Sequence, residues 1–530
     1  MMLRNYPLLG VLALAPPVLA QPALAQTGGK TLTVVPSADV AELDPARAAN
    51  QIGRIYAQMV FDSLFALDHT LSPKPMMVER ETVSADGLIY NFTLRDNLRF
   101  HDASPVTTSD VIASLEHWMA GTSVGAQLKA RLASMRAIDA RRFTLTLNQR
   151  FGLTEFVLAG AGAPMAAIMR EADAKRPDGV AITAPIGSGP FRYIAAERES
   201  GHRVVFARNP DYPARAEPPD GAAGGRVVKI DRVVWTIIPD PTTAANALVK
   251  GEVDFWDTVS PDLIPFLRKA GITVRRTASL QSAVWIRPNF ELPPFDNAKA
   301  RQALALLFDQ TEIMQAVAGD SGWATCFSFS ICGSILGTEA GAEPYRKPDP
   351  ARAKQLLADS GYKGEPIVIV GTPQLPVINA VSLVMAQRLR DIGAKVDLQM
   401  GDWATVYKRV NTPHIPPGPN AWNLVGTYSL GGTWFNPLTN VALDTSCGAS
   451  ASSSMGMPCD PEGEKLRQAV LAAPDQPARL ATFETFQEHA WTFLPYIPGG
   501  QFDINNAYGK NISGVLDGYV INYWNIDKNG

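Results

Sequence analysis

Residues 367–400 read as strand, helix, strand, which commits this part of the chain to a parallel pair covered by a helix. Ile367 to Val370 and Val396 to Met400 are short apolar runs, and Val377 to Ile392, closed by Gly393, has helical length between them. Parallel strands need such a crossover, right-handed by the twist of the strands it joins. Other helices flank the unit. Asn297 can cap one whose apolar face is Ala300, Ala303, Leu304, Leu307 and Phe308. Asp349-Pro350 opens another that Gly361 ends, and Asp402 caps a third. Two more are expected near Glu462 to Ala472 and Ala478 to Phe493. The first half differs. Thr31 to Val35, Ile89 to Arg95 and Phe143 to Leu147 alternate as half-buried strands do, while Val233 to Ile238 and Ala283 to Ile286 read as deeply buried ones. The tail, Gly514 to Asp527, is again apolar and aromatic and can complete a sheet begun by the first half. An α/β chain so arranged forms two lobes joined by two or more crossing segments, hinged about a cleft.

A chain of 530 residues buries enough surface to fold without a metal or disulfide staple. Its 48 Lys and Arg against 51 Asp and Glu give −3, so nucleic acid is not an expected partner. Arg4, the apolar stretch Leu8 to Ala20 and the small-x-small site Ala23-Leu24-Ala25 make residues 1–25 a secretory signal peptide. The stretch is too short to span a bilayer, and no later segment is long and apolar enough. With no Cys near the cleavage site, the expected mature protein is soluble and periplasmic. Four cysteines in an oxidising compartment suggest disulfides. Of three connectivities the local one, Cys326–Cys332 with Cys447–Cys459, is expected; reduced thiols remain open, and neither spacing is usual for zinc. The six His show no paired metal spacing, and no metal or cofactor is expected. No G-x-S-x-G occurs, so an enzyme is not expected, with a secreted hydrolase the alternative from that class.

Several blocks, in order, resemble the extracytoplasmic solute-binding proteins of ABC importers, family 5, the dipeptide-, oligopeptide- and nickel-binding class. They are Gly87-Leu88-Ile89-Tyr90-Asn91-Phe92-Thr93-Leu94-Arg95; Phe100-His101-Asp102-Ala103-Ser104-Pro105-Val106 with Asp110-Val111; and Gly187-Ser188-Gly189-Pro190-Phe191. Then come Arg208-Asn209-Pro210-Asp211-Tyr212, Ala247-Leu248 with Gly251-Glu252-Val253-Asp254, and Pro294-Phe295-Asp296-Asn297 leading to Arg301-Gln302-Ala303-Leu304. The family usually has Gly where Ala103 stands. The resemblance implies a two-lobe hinged periplasmic-binding fold (type II, cluster C). Lobe 1 would take residues 26–283 plus 500–530, with an inserted subdomain at about 65–182, and lobe 2 residues 284–499. It implies a protein, expected to be monomeric, that captures a peptide-like or other small polar solute and hands it to transmembrane permease subunits. A periplasmic sensor or chaperone on the same fold is the alternative.

Aromatic residues crowd the second lobe, as ligand pockets require. By the resemblance, Trp403 after Asp402 and Trp422 line the cleft. The aspartate that would anchor a peptide α-amino group is replaced by Val425, and 423–436 holds no acidic residue. A buried ammonium needs a paired carboxylate or a full hydrogen-bond shell, so a neutral or anionic solute is favoured. Tyr428, Thr433, Trp434 and Asn436 are further ligand-binding candidates, with Asn50, Gln51 and Tyr56 from the loop after Asp44-Pro45. Arg54, Arg287 and Arg301 could anchor an anion, though such an arginine is more often a surface or interlobe pair.

Overall fold

The computed structural model describes residues 29–48, 50–160, 164–177, 179–277, 279–448 and 455–529. The predicted signal peptide lies outside the described residues.

Two large sheets organise the chain. The first has seven strands in the order Phe191–Tyr193, Arg203–Arg208, Arg232–Thr236, Thr31–Val35, Phe255–Trp256, Asn505–Tyr508, Thr273–Arg276. The second has six: Trp323–Ala324, Ile497–Phe502, Ser282–Pro288, Leu424–Ser429, Ile367–Gly371, Val396–Met400. A four-stranded antiparallel sheet, Val78–Val83, Ile89–Leu94, Arg142–Leu147 and Leu132–Ala137, stands apart as a subdomain on the first lobe. Among the described residues, the chain passes between the two large sheets after Arg276 and after Phe502. These crossings are tied to each other. Thr277 N–H donates to the Ile504 carbonyl at 2.7 Å, and Gln281 Nε2 donates to Asp503 Oδ1 at 2.9 Å.

Local rules account for the second lobe closely. Ile367–Gly371 and Val396–Met400 pair in parallel, with helix Pro376–Asp391 between them. Asn297 caps Ala298–Leu307 by accepting from Lys299 N–H, Asp349 caps Pro350–Asp359, and Asp402 caps Trp403–Val410 through Thr405 N–H. The expected cysteine pairing is present, Cys326–Cys332 and Cys447–Cys459.

The tail behaves differently from expectation. The strand that completes the first sheet is Asn505–Tyr508, ahead of the aromatic stretch. Tyr519, Val520, Ile521, Tyr523, Trp524 and Ile526 are buried outside that sheet, packed as side chains into the first-lobe core. Their run alternates too little to expose one face, so it serves as a plug rather than a strand.

Ala103 sits at φ 68°, in the left-handed region. A Cβ is strained there, and glycine is not. We expect Ala103→Gly to raise the stability of the first lobe by about 0.5–1 kcal/mol, the relief of strain less the entropy of glycine, read as a higher urea midpoint.

Candidate functional site

Three parallel strands of the six-stranded sheet end on one edge, at Gly371, Met400 and Ser429. The antiparallel strand Ser282–Pro288 begins on that same edge, and Ile497–Phe502, antiparallel to it and so running the same way as the three, finishes there. From Ile367–Gly371 the chain passes to Val396–Met400 on one side and comes back as Leu424–Ser429 on the other. The two connections diverge, and a crevice opens at the carboxyl ends of the strands, where open α/β sheets take ligands. Both crossing segments leave from this edge, so the crevice faces the first lobe across the hinge.

Three cavities lie near the crevice, two of them on the seam between the lobes and one, walled by Trp434, within the second lobe. The first, about 20 Å³, lies between Gln51 and Tyr519 of the first lobe and Leu430, Gly431 and Gly432 of the second, with Thr277 and Ser282 at the hinge. Glycine permits this approach: a Cβ at Gly432 would stand 2.9 Å from the Tyr519 Cβ. The second, about 10 Å³, is walled by Trp434, Tyr496, Ser328, Ser330 and Gln501. Trp434 is held there by stacking on Trp285, centroids 4.8 Å apart, whose Nε1–H donates to Ser429 Oγ at 3.1 Å. The third, about 260 Å³, lies between Tyr90, Thr154 and Glu155 of the subdomain and Asn436, Gln476 and Arg479 of the second lobe. A hollow of the same size beside Pro293, Pro294 and Tyr362 belongs to the second lobe alone and lies off the seam.

On the subdomain side the seam is shut. Gly152 N–H donates to the Leu471 carbonyl at 3.1 Å, and Arg479 Nη2 donates to the Gly152 carbonyl at 2.8 Å. Phe156 meets Phe435 edge-on at 5.5 Å, and Arg131 reaches the Gln468 side chain.

Beside the third cavity, the Glu81 and Glu155 carboxyls are neighbours. Burial first, and the neighbouring carboxylate second, raise the Glu81 carboxyl to about 8, so the pair holds a proton at neutral pH. The folded state therefore keeps a proton that the unfolded chain has released, and stability falls as pH rises from about 4.5 to about 8. We expect Glu81→Gln to remove this slope and to add about 1–2 kcal/mol at pH 9, less than full linkage because the pair is partly solvated. Urea midpoints at pH 6 and pH 9 measure it; a slope unchanged by the substitution would place the proton elsewhere.

The nine sequence candidates separate. Gln51, Trp434 and Asn436 reach the cavities. Tyr428 packs on Phe502 at 5.7 Å, and Thr433 Oγ1 donates to the Leu430 carbonyl at 2.8 Å, both beside the crevice. Trp403 is half-exposed, its ring 5.6 Å from Tyr407, and it lines none of the three cavities. Asn50 caps helix Gln51–Val60 by accepting from Gly53 N–H. Trp422 and Tyr56 are corrected to the core. Trp422, 1% exposed, precedes strand Leu424–Ser429 and fills the space among Val370, Val406, Val410 and Val425. Tyr56 is buried against Phe61, Tyr193 and Phe206, its hydroxyl donating to the Leu43 carbonyl. Residues missed from sequence are Thr277, Ser282, Leu430 to Gly432, Glu155, Arg479 and Tyr519. Reading Leu424 to Ser429 as a third parallel strand would have moved the crevice from Trp422 to Ser429 and beyond.

Comparison with known proteins follows the same architecture. The sequence profile of bacterial extracellular solute-binding proteins, family 5 Middle, matches residues 72–429. A probable peptide ABC transporter periplasmic-binding protein, y4tO of Sinorhizobium fredii, is 33% identical over 523 residues, 97% of each chain. Glutathione-binding protein GsiB of Salmonella typhimurium is 26% identical over 402 residues, 74% of this chain and 73% of that one. Among solved structures, AgaA from A. tumefacien R10 in complex with agropinic acid superposes with a TM-score of 0.77 at 21% identity, covering 94% of this chain and 99% of that one. DppA from Helicobacter pylori in complex with the peptide STSA gives 0.78 at 20% identity, covering 95% and 98%.

Proposed function

This chain belongs to family 5 of the bacterial extracellular solute-binding proteins, and from that premise we propose that it captures a small polar solute, peptide-like or otherwise, between its lobes and delivers it to the membrane permease of an ABC importer. The observation that carries this reading is the crevice at the carboxyl edge of the second-lobe sheet, facing the first lobe across two tied crossing segments. Two crossings allow rotation of one lobe on the other, and closure excludes water from whatever is enclosed. In this reading the lobes are residues 26–283 with 500–530, carrying the subdomain at about 65–182, and residues 284–499, the division falling at or near the crossings. The protein releases its solute unchanged, and acts as a monomer in the periplasm. The signal-like residues 1–25 and two disulfides support that compartment, and among the described residues no helix is long and apolar enough to cross a membrane.

The relatives are named for different solutes, and fold does not choose among them. No acidic side chain stands on 423–436, so an ordinary peptide's α-amino group has no counter-charge there. The test is native mass spectrometry of gently purified protein, followed by thermal shift with the dipeptide Met-Leu, glutathione and agropinic acid. A solute at 100 times its Kd should add about 2.7 kcal/mol. Protein that carries no small molecule, and that no member of the panel stabilises at millimolar concentration, would count against capture.

A further inference from the structure

Three arginines of the sequence were candidate anion anchors, and the structure separates them. Arg287 is fully buried in the second lobe and spends its guanidinium on the carbonyls of Pro495 and Ala442. Arg301 donates to the carbonyls of Phe493, Phe295 and Asp296, with Phe290 and Phe493 against its plane. Both are structural. Arg54 is different. It is only 7% exposed, yet among the described residues its side chain makes no hydrogen bond and no ion pair, and its Nε is wholly withdrawn from solvent.

Its position is informative. Arg54 lies on helix Gln51–Val60 at the i+3 place from Gln51 and four residues before Gln58, one face of the helix. Gln51 lines the hinge-side cavity with Tyr519. Gln58 Nε2 donates to the Tyr519 hydroxyl, so that hydroxyl keeps its own proton for an acceptor the described residues do not provide. The phenol stays protonated at neutral pH, since burial raises it to about 12. Across the same cavity Thr277, 6% exposed, has its Oγ1 without a partner. No acidic residue lines this cavity. Asp503 on the adjacent crossing is already taken by Gln281 and, at 3.8 Å, by Arg276. Arg226, the other cation near Tyr519, is neutralised by Asp62.

Here, then, is a nine-tenths buried cation with no counter-ion, facing Tyr519 on the helix face that runs from the cavity-lining Gln51 to Gln58, with the free Thr277 hydroxyl on the cavity wall. A guanidinium largely withdrawn from water and left unpaired is costly, and such a cost persists where a ligand relieves it. Resting on the capture reading above, we propose that Arg54, with the hydroxyls of Tyr519 and Thr277, receives a carboxylate of the captured solute at the hinge end of the cleft. The cavity as it stands, about 20 Å³, holds no more than a water or two, so the carboxylate enters while the lobes are parted and is enclosed as they close. A solute with an acidic group turned toward the hinge matches this site, and its amide does not.

The test uses the mature protein and two variants, Arg54→Met and Thr277→Val. The first readout needs no ligand. Arg54→Met removes an unpaired buried charge and keeps the volume, so the ligand-free variant should melt a few degrees above wild type. Melting below wild type would make the guanidinium structural and overturn the assignment. The second readout is calorimetric titration with glutathione, agropinic acid, Met-Leu and the C-terminal amide of Met-Leu. A carboxylate solute that binds wild type should lose at least tenfold in affinity to Arg54→Met and about threefold to Thr277→Val, and the amide should bind wild type and Arg54→Met equally weakly. A solute held equally by wild type and Arg54→Met overturns the carboxylate site while leaving capture intact. A panel that nothing in wild type binds counts against capture itself, and against this site with it.

Discussion

Gly152→Ala is expected to hold the lobes apart without unfolding either. A Cβ at this position would stand 2.1 Å from the Ala473 carbonyl oxygen, a backbone atom that no rotamer change can move. Gly152 precedes helix Thr154–Leu158 of the first lobe, whereas Ala473 lies between helices Pro461–Ala472 and Gln476–Phe493 of the second. The clash therefore falls on the seam and not within a core. Relieving it breaks the two hydrogen bonds through Gly152, one of them from a guanidinium. Together these contribute roughly 2–4 kcal/mol to the closed state. Apparent affinity scales with the population of the binding-competent form, so about one and a half to three decades should be lost. Small-angle scattering should show a larger radius of gyration, circular dichroism an unchanged spectrum, and titration with whichever solute binds wild type a weaker constant. If scattering and affinity both match wild type, the 471–479 segment has yielded instead and the seam is not the closing contact.

Asp62→Ala should be the most destabilising single change of a charged residue. Asp62 and Arg226 are 2% and 1% exposed and meet at 3.3 Å. Asp62 also accepts from the Tyr212 hydroxyl at 2.9 Å, and the Arg226 guanidinium lies 4.7 Å from the Trp524 ring centroid. Removing the carboxylate leaves a buried guanidinium without a counter-charge, which costs about 3–5 kcal/mol. Replacing both partners by apolar residues, Asp62→Leu with Arg226→Met, should cost much less, because no orphan charge remains. Urea unfolding followed through first-lobe tryptophans reads both. A double variant as unstable as the single one would show that geometry, not charge, matters at this point.

The second lobe was legible in the sequence because its rules are local. Caps at Asn297, Asp349 and Asp402, the glycines Gly361 and Gly393 after two of the helices, and a β-α-β unit each announce themselves within about twenty residues. The cleft was legible only in part. Trp434 and Asn436, named from the sequence, follow the edge of the sheet and line cavities, but Trp422 was taken for a ligand contact because an indole reads alike in a core and in a pocket. Its place was settled by register: it stands before Leu424–Ser429, at the end of the strand away from the hinge. Residues such as Thr277, Glu155 and Tyr519 come together from segments hundreds of residues apart, and no periodicity records that. Arg54, Arg287 and Arg301 show the same limit. Their roles differ only in what surrounds the guanidinium, which is tertiary information.

Strand Asn505–Tyr508 lies inside the first sheet, between Phe255–Trp256 and Thr273–Arg276, although every other strand of that sheet precedes residue 277. The second sheet draws only on residues 282–502. As the chain emerges from the ribosome, the lobe begun first is thus the last to be finished. Thr273–Arg276 must wait for a neighbour more than two hundred residues downstream, an interval on the order of ten to fifty seconds of synthesis. The first lobe therefore lacks one of its seven strands, and the edge strand that pairs with it, until nearly the whole chain has been made.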